Sequence, residues 1–502
     1  MFISRRGGLL AAVYSAGLAL TLAAPASAES LYEAIALAYD SNPTLQAQRA
    51  TQRALDENWV QARAGYRPTA QVQGTASYFE NRVPSDARQS DTNGDGIPDP
   101  VTTGGITEGN NAVATLSLTQ PLFTGGRVAA NVSAAEADIL AGREQLRRTE
   151  ATVVQAVVQA YADVRRDQAA LRIREENLRV LQRQLDESKA RFEVGEITRT
   201  DVAQSEARLA AADAQFALAQ SQLASSRATY AAVVGQNPGD LVGEPKFDEM
   251  LPADIAQAFE AAENNNPQIR QAKYVERASN ARLAGAKAER MPNLGVSASL
   301  GYNGPADPFD SDHFSRAVRA GATVTVPLFT GGLTSSRIRA ASERNNADRI
   351  NVEVARRSVM QSLTQAWNQH AASKSNMTST NEQVRAARIA AEGVRQEQQV
   401  GLRTTLDVLN AEQELRAAEL SQVTAHRDEF VAASLVLAQM GALEGPTLAP
   451  NVTRYDASAN FKNNRITWGW VPWEEPIAVV DGVLTPKTVE QPLTAPPPPA
   501  PK

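Results

Sequence analysis

The chain has 502 residues, of which 5% are aromatic and 21% charged, and its net charge at neutral pH is −6. Acids and bases are interspersed, which argues against nucleic acid as a partner, and an Ala-, Gln- and Arg-rich middle suits long helices better than one large core. There is no cysteine, which excludes disulfides, thiolate metal sites and a lipidated N-terminal cysteine.

The first 28 residues read as a signal peptide. Arg5 and Arg6 precede the apolar run 9–22, and Ala26-Ser27-Ala28 fits the small-residue cleavage rule. The arginine pair falls short of a twin-arginine signal, and the mature chain is expected to begin near Glu29. No later run reaches about 18 consecutive apolar residues, so no membrane helix is expected. Such an exported chain is either soluble or spans a membrane as a barrel.

The mature sequence is a duplication. PLFTGG occurs at 121–126 and again at 327–332, at an offset of 206 that also superposes Val194-Gly195, Thr198 and Asp201-Val202 on Val400-Gly401, Thr404 and Asp407-Val408. Upstream, Asn42-Pro43 and Pro68 match Asn266-Pro267 and Pro292 at an offset of 224, so the first half carries an insertion in the loop-like stretch 85–109. The first repeat, 29–240, is predicted as a helix over 31–64, strands over 68–80 and 112–121, and helices over 127–192 and 199–235. In the second repeat, 251–444, the helix over 252–290 breaks near Asn266-Pro267. Strands over 292–303 and 315–327 and helices over 333–398 and 405–441 follow. Residues 445–502 form a C-terminal tail.

A helix of about 65 residues would be near 100 Å long and needs partners along its length. Val157, Val164, Leu171, Leu178, Leu185 and Phe192 recur every seven residues, and Val132, Ile139, Leu146, Val153, Ala160 and Leu181 form a companion stripe, broken by Asp167 and Arg174. Val359, Leu363, Ala366, Met377, Val384, Ala387 and Ala391 repeat this more weakly. Helices alone would equally suit a soluble periplasmic coiled-coil adaptor or scaffold.

The strands separate the two readings. Ala70, Val72, Ala76 and Tyr78 alternate with Gln71, Gln73, Thr75 and Ser77; Ala112, Ala114, Leu116 and Leu118 alternate with Thr115, Ser117 and Thr119. Leu294, Val296, Ala298, Leu300 and Tyr302 alternate with Asn293, Ser297 and Ser299, and Val318, Ala320, Ala322, Val324 and Val326 with Arg319, Thr323 and Thr325. One apolar and one polar face over such lengths is the pattern of a membrane barrel with a wet interior. Four strands cannot close a barrel, so several copies must share one. Pro121 and Pro327 are expected to end their strands. Leu122-Phe123 and Leu328-Phe329 fall at a headgroup-level girdle, while Gly125-Gly126 and Gly331-Gly332 allow the turn into a helix.

On these features the chain resembles the TolC family of outer-membrane channels. The match runs over about 31–443 and includes Leu31-x-x-Ala34, Asn42-Pro43-x-Leu45, both PLFTGG copies and Gly401-Leu402-Arg403-Thr404-Thr405-Leu406-Asp407-Val408-Leu409. The resemblance implies a mixed, mainly α fold with two repeats of two long coiled-coil helices and two strands. Three copies would form a 12-stranded outer-membrane β-barrel on a periplasmic α-helical barrel. It further implies a homotrimer in outer-membrane lipid that works with a periplasmic adaptor and an inner-membrane ABC or proton-driven transporter. The cargo would be secreted proteins or small toxic compounds. It places a gate at the helix turns, where Asp201 and Arg403 match residues tying neighbouring hairpins together and Asp407 matches an aspartate of the constriction. Asn410 replaces a second aspartate and Gln398 a tyrosine, so a trimer would present three carboxylates instead of six. Weaker binding of multivalent cations is expected.

Asp91, Asn93, Asp95 and Asp99 in the inserted stretch place oxygen ligands at alternate positions around glycines, as in a calcium loop, although the acidic twelfth ligand is replaced by Thr102. The default for that stretch is a solvated acidic loop, and no other cofactor is expected. His313, His370 and His426 are far apart in sequence, and no nucleophile elbow, phosphate loop or dinucleotide fingerprint occurs, so no enzyme activity is expected. Trp468, Trp470 and Trp473 cluster in the tail, where packing is favoured over partner binding, and the Pro-rich 495–502 should be disordered.

Overall fold

The computed structural model describes residues 29–82, 94–96, 105–306, 313–449, 453–464, 469–483 and 485. The signal segment, Trp468 and the Pro-rich end lie outside them. The chain divides into two compact units: a helical one within Met1–Ala38, Ala156–Lys246 and Met377–Val431, and a sheet-bearing one within Tyr39–Gln155, Phe247–Asn376 and Ala432–Lys502.

The helix expected over 31–64 is two helices, α1 (Leu31–Ser41) and α2 (Pro43–Arg63). Asn42 stands between them with φ −63° and ψ 122°, and its side chain accepts from the Thr44 and Leu45 amides at the start of α2. The following proline forces this: it disfavours helical backbone at Asn42 yet suits the first helical position. Asn266 repeats the device between α5 (Ile255–Asn265) and α6 (Pro267–Ala288), with φ −63° and ψ 123°.

In the sheet-bearing unit β1 (Thr69–Arg82), β2 (Ile106–Phe123), β3 (Asn293–Gly304) and β4 (Ser315–Thr325) form one antiparallel sheet in the order β1-β2-β3-β4. Register sorts the two faces. Val72, Leu116, Leu300 and Val318 lie side by side across all four strands, as do Ala70, Leu118, Ala298 and Ala320. The alternate rows are Gln71-Ser117-Ser299-Arg319 and Thr69-Thr119-Ser297-Gly321. Because side chains alternate strictly in a strand, a one-residue slip would mix these faces. Among the described residues nothing covers the apolar rows: Val72 is 76% exposed and Val318 66%.

Two expectations about the strands need correction. β2 begins at Ile106, inside the stretch read as loop, where Ile106 to Gly109 pair with Arg82 to Phe79 and lengthen the first hairpin with polar rungs. Pro121 does not end β2: it pairs with Gly295, and the ladder shifts register between Pro121 and Phe123 before the strand stops. A bulge absorbs the residue whose missing N–H cannot join the ladder. β4 instead stops at Thr325, before Pro327.

The long helices repeat to the residue. α3 (Arg127–Glu193) and α7 (Leu333–Gln399) have 67 residues each, and α4 (Arg199–Val234) and α8 (Thr405–Met440) have 36 each. Their seam is closed at Val157, Val164, Ile139 and Leu146 but open at Phe192, 45% exposed near the turn. In the sheet-bearing unit Ala258, Ala262 and Ile269 pack with Val359, Leu363, Val436 and Met440. In the helical unit the Glu29 carboxylate accepts from Tyr230 Oη at 2.6 Å, Gln236 Nε2 at 3.0 Å and the Gly239 amide at 3.3 Å. The residue expected to lead the mature chain is thereby buried.

Part of the presumed tail is folded. It holds α9 (Gly445–Leu448), α10 (Ala459–Asn464) and α11 (Glu474–Val483). Phe461 meets Trp59 edge-on at 5.3 Å, and Trp473, still 48% exposed, donates from Nε1 to Gln120.

Candidate functional site

The two turns that close the helical hairpins share one construction. At the first, Gly195 takes φ +80°, its amide donates to Phe192 O at 3.0 Å, and Glu196 N donates to Arg191 O at 2.9 Å. At the second, Gly401 takes φ +82°, its amide donates to Gln398 O at 3.0 Å, and Leu402 N donates to Glu397 O at 2.9 Å. Paired bonds of this kind close a helix through a left-handed residue, which is why glycine stands at both places. The next helix opens with a threonine–aspartate box. Asp201 Oδ2 accepts from Thr198 N at 2.9 Å and Thr198 Oγ1 at 2.8 Å. Asp407 Oδ2 accepts from Thr404 N at 3.0 Å and Thr404 Oγ1 at 2.8 Å.

Asp201 and Asp407 are therefore equivalent caps, each satisfying donors at a helix start. The threonine amide, and then its hydroxyl, hold both carboxyls below the usual carboxylate range. Arg403 donates from Nε to Glu397 Oε2 at 2.8 Å, and that bond, more than the charges of Glu397 and Asp407, raises its pKa. Within the chain Asp201 and Arg403 thus bond inside their own turns. Gln398 is buried beside the second turn, while Val194, Val400 and Leu402 are each more than two-thirds exposed.

Among the described residues two arginines outside the expected set link the hairpins: Arg427 of α8 donates to Asp163 of α3 at 2.8 Å, and Arg208 acts nearer the turns. Arg208, on α4 two turns after Asp201, donates from one terminal nitrogen to Asn410 Oδ1 at 3.3 Å and from the other to Gln413 Oε1, both on α8. Beside it Leu409 of α8 packs against Leu181 of α3 and Ala212 of α4. These residues border a cavity of about 380 Å³ that also takes in Arg174, Glu412 and Arg416. Glu412 pairs with Arg395 of α7. A sequence signal for Arg208 existed: it lies seven residues after Asp201, hence on the same face of α4, and Asn410 and Gln413 are spaced to share a face of α8.

The strand-to-helix junctions differ from each other more than their identical sequences suggest. Gly125 and Gly126 take φ +69° and +86°, and Gly331 and Gly332 take +59° and +83°. At the first junction a Cβ on Gly125 would lie 2.4 Å from Met291 Cβ, whereas nothing lies within 4 Å of one on Gly331. Asp481 of α11 reaches the first junction as a buried carboxylate. It accepts from Thr124 N at 2.8 Å, Thr124 Oγ1 at 2.9 Å, Gly126 N at 3.0 Å and Ala129 N at 3.4 Å, and from Tyr66 Oη at 3.2 Å. Glu474 at the other end of α11, also buried, accepts from Arg63 at 2.6 Å and Arg67 at 2.9 Å. The second junction stays open, with Leu328 92% and Phe329 90% exposed. Nothing local in sequence announced these two acids, because their donors are more than 350 residues away.

Of the candidate calcium ligands, Asp91, Asn93 and Asp99 lie outside the described residues, and Asp95 is exposed between Gly94 and Gly96, both at φ +76°. His370 is buried against Asp248 at 2.7 Å, and Lys374 takes the other oxygen of that carboxylate at 2.5 Å. No helix among the described residues is long and apolar enough to cross a membrane, so the uncovered sheet face is the lipid-facing candidate.

Comparison with known proteins agrees with this geometry. The family model described as outer membrane efflux protein matches residues 34–236 and 258–440. The outer membrane efflux protein BepC of Brucella suis biovar 1 is 33% identical over 91% of this chain and 95% of its own length. The alkaline protease secretion protein AprF of Pseudomonas aeruginosa is 26% identical over 80% of this chain and 83% of its own. The crystal structure of the Campylobacter jejuni CmeC outer membrane channel superposes with a TM-score of 0.69 at 15% identity, covering 86% of this chain and 88% of that one. The soluble-adaptor alternative falls with these matches, and the chain belongs to the outer membrane efflux protein family.

Proposed function

We propose that three copies of this outer-membrane chain close one twelve-stranded barrel and form the exit duct of a tripartite export system. An adaptor in the periplasm would couple the duct to an energised inner-membrane transporter. The observation that carries the proposal is a four-stranded sheet that, among the described residues, has one uncovered apolar face and two free edges, β1 and β4. In hydrocarbon every unpaired edge group costs several kcal/mol, so the edges must find partners. Strand direction alternates from β1 to β4, so β4 of one copy meets β1 of the next antiparallel, as an all-antiparallel barrel requires. Twelve strands leave room for water where eight would be filled by side chains. Leu328 and Phe329 would then lie at the headgroup level.

BepC is named for efflux and AprF for protease secretion, and the passenger here is either small toxic compounds or a secreted protein. Membrane fractionation should place the mature protein in the outer membrane. Unheated samples should migrate on gels as a trimer, and the purified protein should conduct ions in planar bilayers. A monomer that stays in solution without detergent would refute the proposal. Deletion strains would separate the passengers, by sensitivity to detergents and dyes or by loss of a secreted protein.

A further inference from the structure

We infer that Arg208 is the latch that holds the two helical hairpins of one copy together at the closed end of the duct, with Asn410 and Gln413 as its catch. The inference rests on the channel reading above and concerns how that channel is held shut. Three observations on the helical unit lead to it.

First, the carboxylate at the first turn and the guanidinium at the second are occupied locally, Asp201 by Thr198 and Arg403 by Glu397. Second, Arg208 crosses from α4 to α8 with both terminal nitrogens. A planar fork holding two acceptors on one helix face fixes distance and rotation together, which a single contact does not. Third, the apolar layer beside it is thin, only Leu181, Ala212 and Leu409 with Leu178 and Leu209 at its margin, and next to it lies the cavity of about 380 Å³. A thin layer over a cavity resists sliding weakly, so near the turns the polar fork decides whether α8 stays against α4, while farther along α8 Arg427 holds Asp163 of α3 at 2.8 Å. Any widening of the tip that moves α8 away from α4 must break the fork.

The catch is made of neutral amides. Arg208 therefore gains a modest bond, one that parts and re-forms without stranding a carboxylate. Asn410 has a job at this place that an aspartate ring does not require. It accepts the fork while Asp407, three residues earlier, caps the helix.

The test is conductance of the full mature protein in planar bilayers. Arg208→Ala should raise the open-to-closed ratio about threefold per copy, the scale of a partly exposed charged contact, and about thirtyfold if three latches act together. Asn410→Ala should move in the same direction, and the double variant should open no further than Arg208→Ala, because both remove one bond. Arg208→Lys keeps the charge but loses the fork and should fall between. In the other direction, Arg208→Cys with Asn410→Cys in this cysteine-free chain, bridged by a bis-maleimide of about 10 Å, should suppress opening; the residues are joined through a long side chain, beyond the reach of a direct disulfide.

Arg208→Ala trimers with unaltered conductance would overturn the latch, as would a bridged pair that opens like the unbridged one. Should Arg208→Ala fail to assemble, Gln413→Ala and the bridged pair read the same bond. No conductance from the unaltered protein would refute the channel reading instead, so the two failures are distinguishable.

Discussion

Asp481 is the side chain whose loss should be felt furthest from its place in the sequence. It is fully buried and accepts from three backbone amides at the start of α3, from the Thr124 hydroxyl and from Tyr66. Asp481→Ala removes every one of these acceptors at once. Each stranded buried donor costs about 1–3 kcal/mol, and an anion at a helix N-terminus adds about 0.3–2 kcal/mol. Against this, the variant no longer has a carboxylate to desolvate, which returns several kcal/mol. The net loss should be about 3–5 kcal/mol, as for other buried charged networks broken from one side. Asp481→Asn keeps one acceptor oxygen but turns an amide NH2 towards N–H groups, so about half that loss is expected. The assay is denaturant midpoint of the detergent-solubilised protein together with protease cleavage between 464 and 483. Asp481→Ala should both lower the midpoint and expose α11 to cleavage. A variant within about 1 kcal/mol of the unaltered protein, with α11 still protected, would refute the view that this carboxylate holds the first junction.

Four further tests follow from the same geometry. Burial, before any other cause, raises the pKa of Tyr39, Tyr66 and Tyr230, and pushes Tyr161 up to about 12. Above pH 10 the unfolded chain loses these protons while the folded one keeps them, so stability should fall by roughly 1.4 kcal/mol per tyrosine per pH unit until the folded values are reached; Tyr161→Phe should flatten an alkaline denaturation curve. Asp201 and Asp407 have depressed folded pKa values, so their caps act above the usual carboxylate value of 3.8 and fail as pH falls below it. Conductance noise should therefore rise only as pH falls below about 3.8, and the double variant Asp201→Asn, Asp407→Asn should show that noise already at pH 5. Asn410→Asp alone would set its carboxylate against Arg208 and should change trivalent-cation block little, whereas Asn410→Asp with Arg208→Ala frees a second carboxylate ring and should tighten block by tenfold or more, about 1.4 kcal/mol; nanomolar block of the unaltered channel would contradict the single-ring expectation. Finally, Glu244 beside His426 raises the imidazole pKa through its hydrogen bond, so the pair stabilises below pH 6.5 and that gain is lost as pH rises through the folded value. Its contribution should stay under about 1 kcal/mol because the ring is mostly exposed, and His426→Ala should remove the dependence.

What could be read from the sequence was what is local. PLFTGG, Asn-Pro and the Gly-x-x-Thr-x-x-Asp turns each specify their own backbone through positive-φ glycines, a fixed proline dihedral or a side chain three residues away. Alternation in the strands likewise fixed which face would be apolar, and the register carried that choice across all four strands. What was hidden required knowing who arrives from far along the chain. Asp481 and Glu474 looked like ordinary acids in a tail, and Arg208 like one of many arginines on a solvated helix. Asn42 is an intermediate case. The same Asn-Pro that broke the second repeat's helix breaks the first, where one helix over 31–64 was expected.

The same distinction explains where the two repeats have parted. Caps, turns and the lengths of the long helices agree to the residue because each depends on a few neighbours and can be duplicated intact. The junctions cannot, since α11 occurs once per chain while PLFTGG occurs twice. One junction of each copy is sealed by an internal carboxylate and by Met291, and the other presents Leu328 and Phe329 to whatever adjoins it. In a closed ring of three copies the neighbour at that open junction is the next copy's first repeat. Offset by 224, the counterpart of Met291 is Arg67, which Glu474 already holds beside the start of β1. In that proposed ring α11 would order the corner facing the adjoining copy as well as the junction of its own, and its loss should weaken assembly before it unfolds a single chain. Asp481→Ala should accordingly lower the temperature at which trimers dissociate at protein concentrations where isolated copies still resist protease everywhere outside α11. Dissociation and cleavage outside α11 occurring together at every concentration would mean that α11 serves only its own chain.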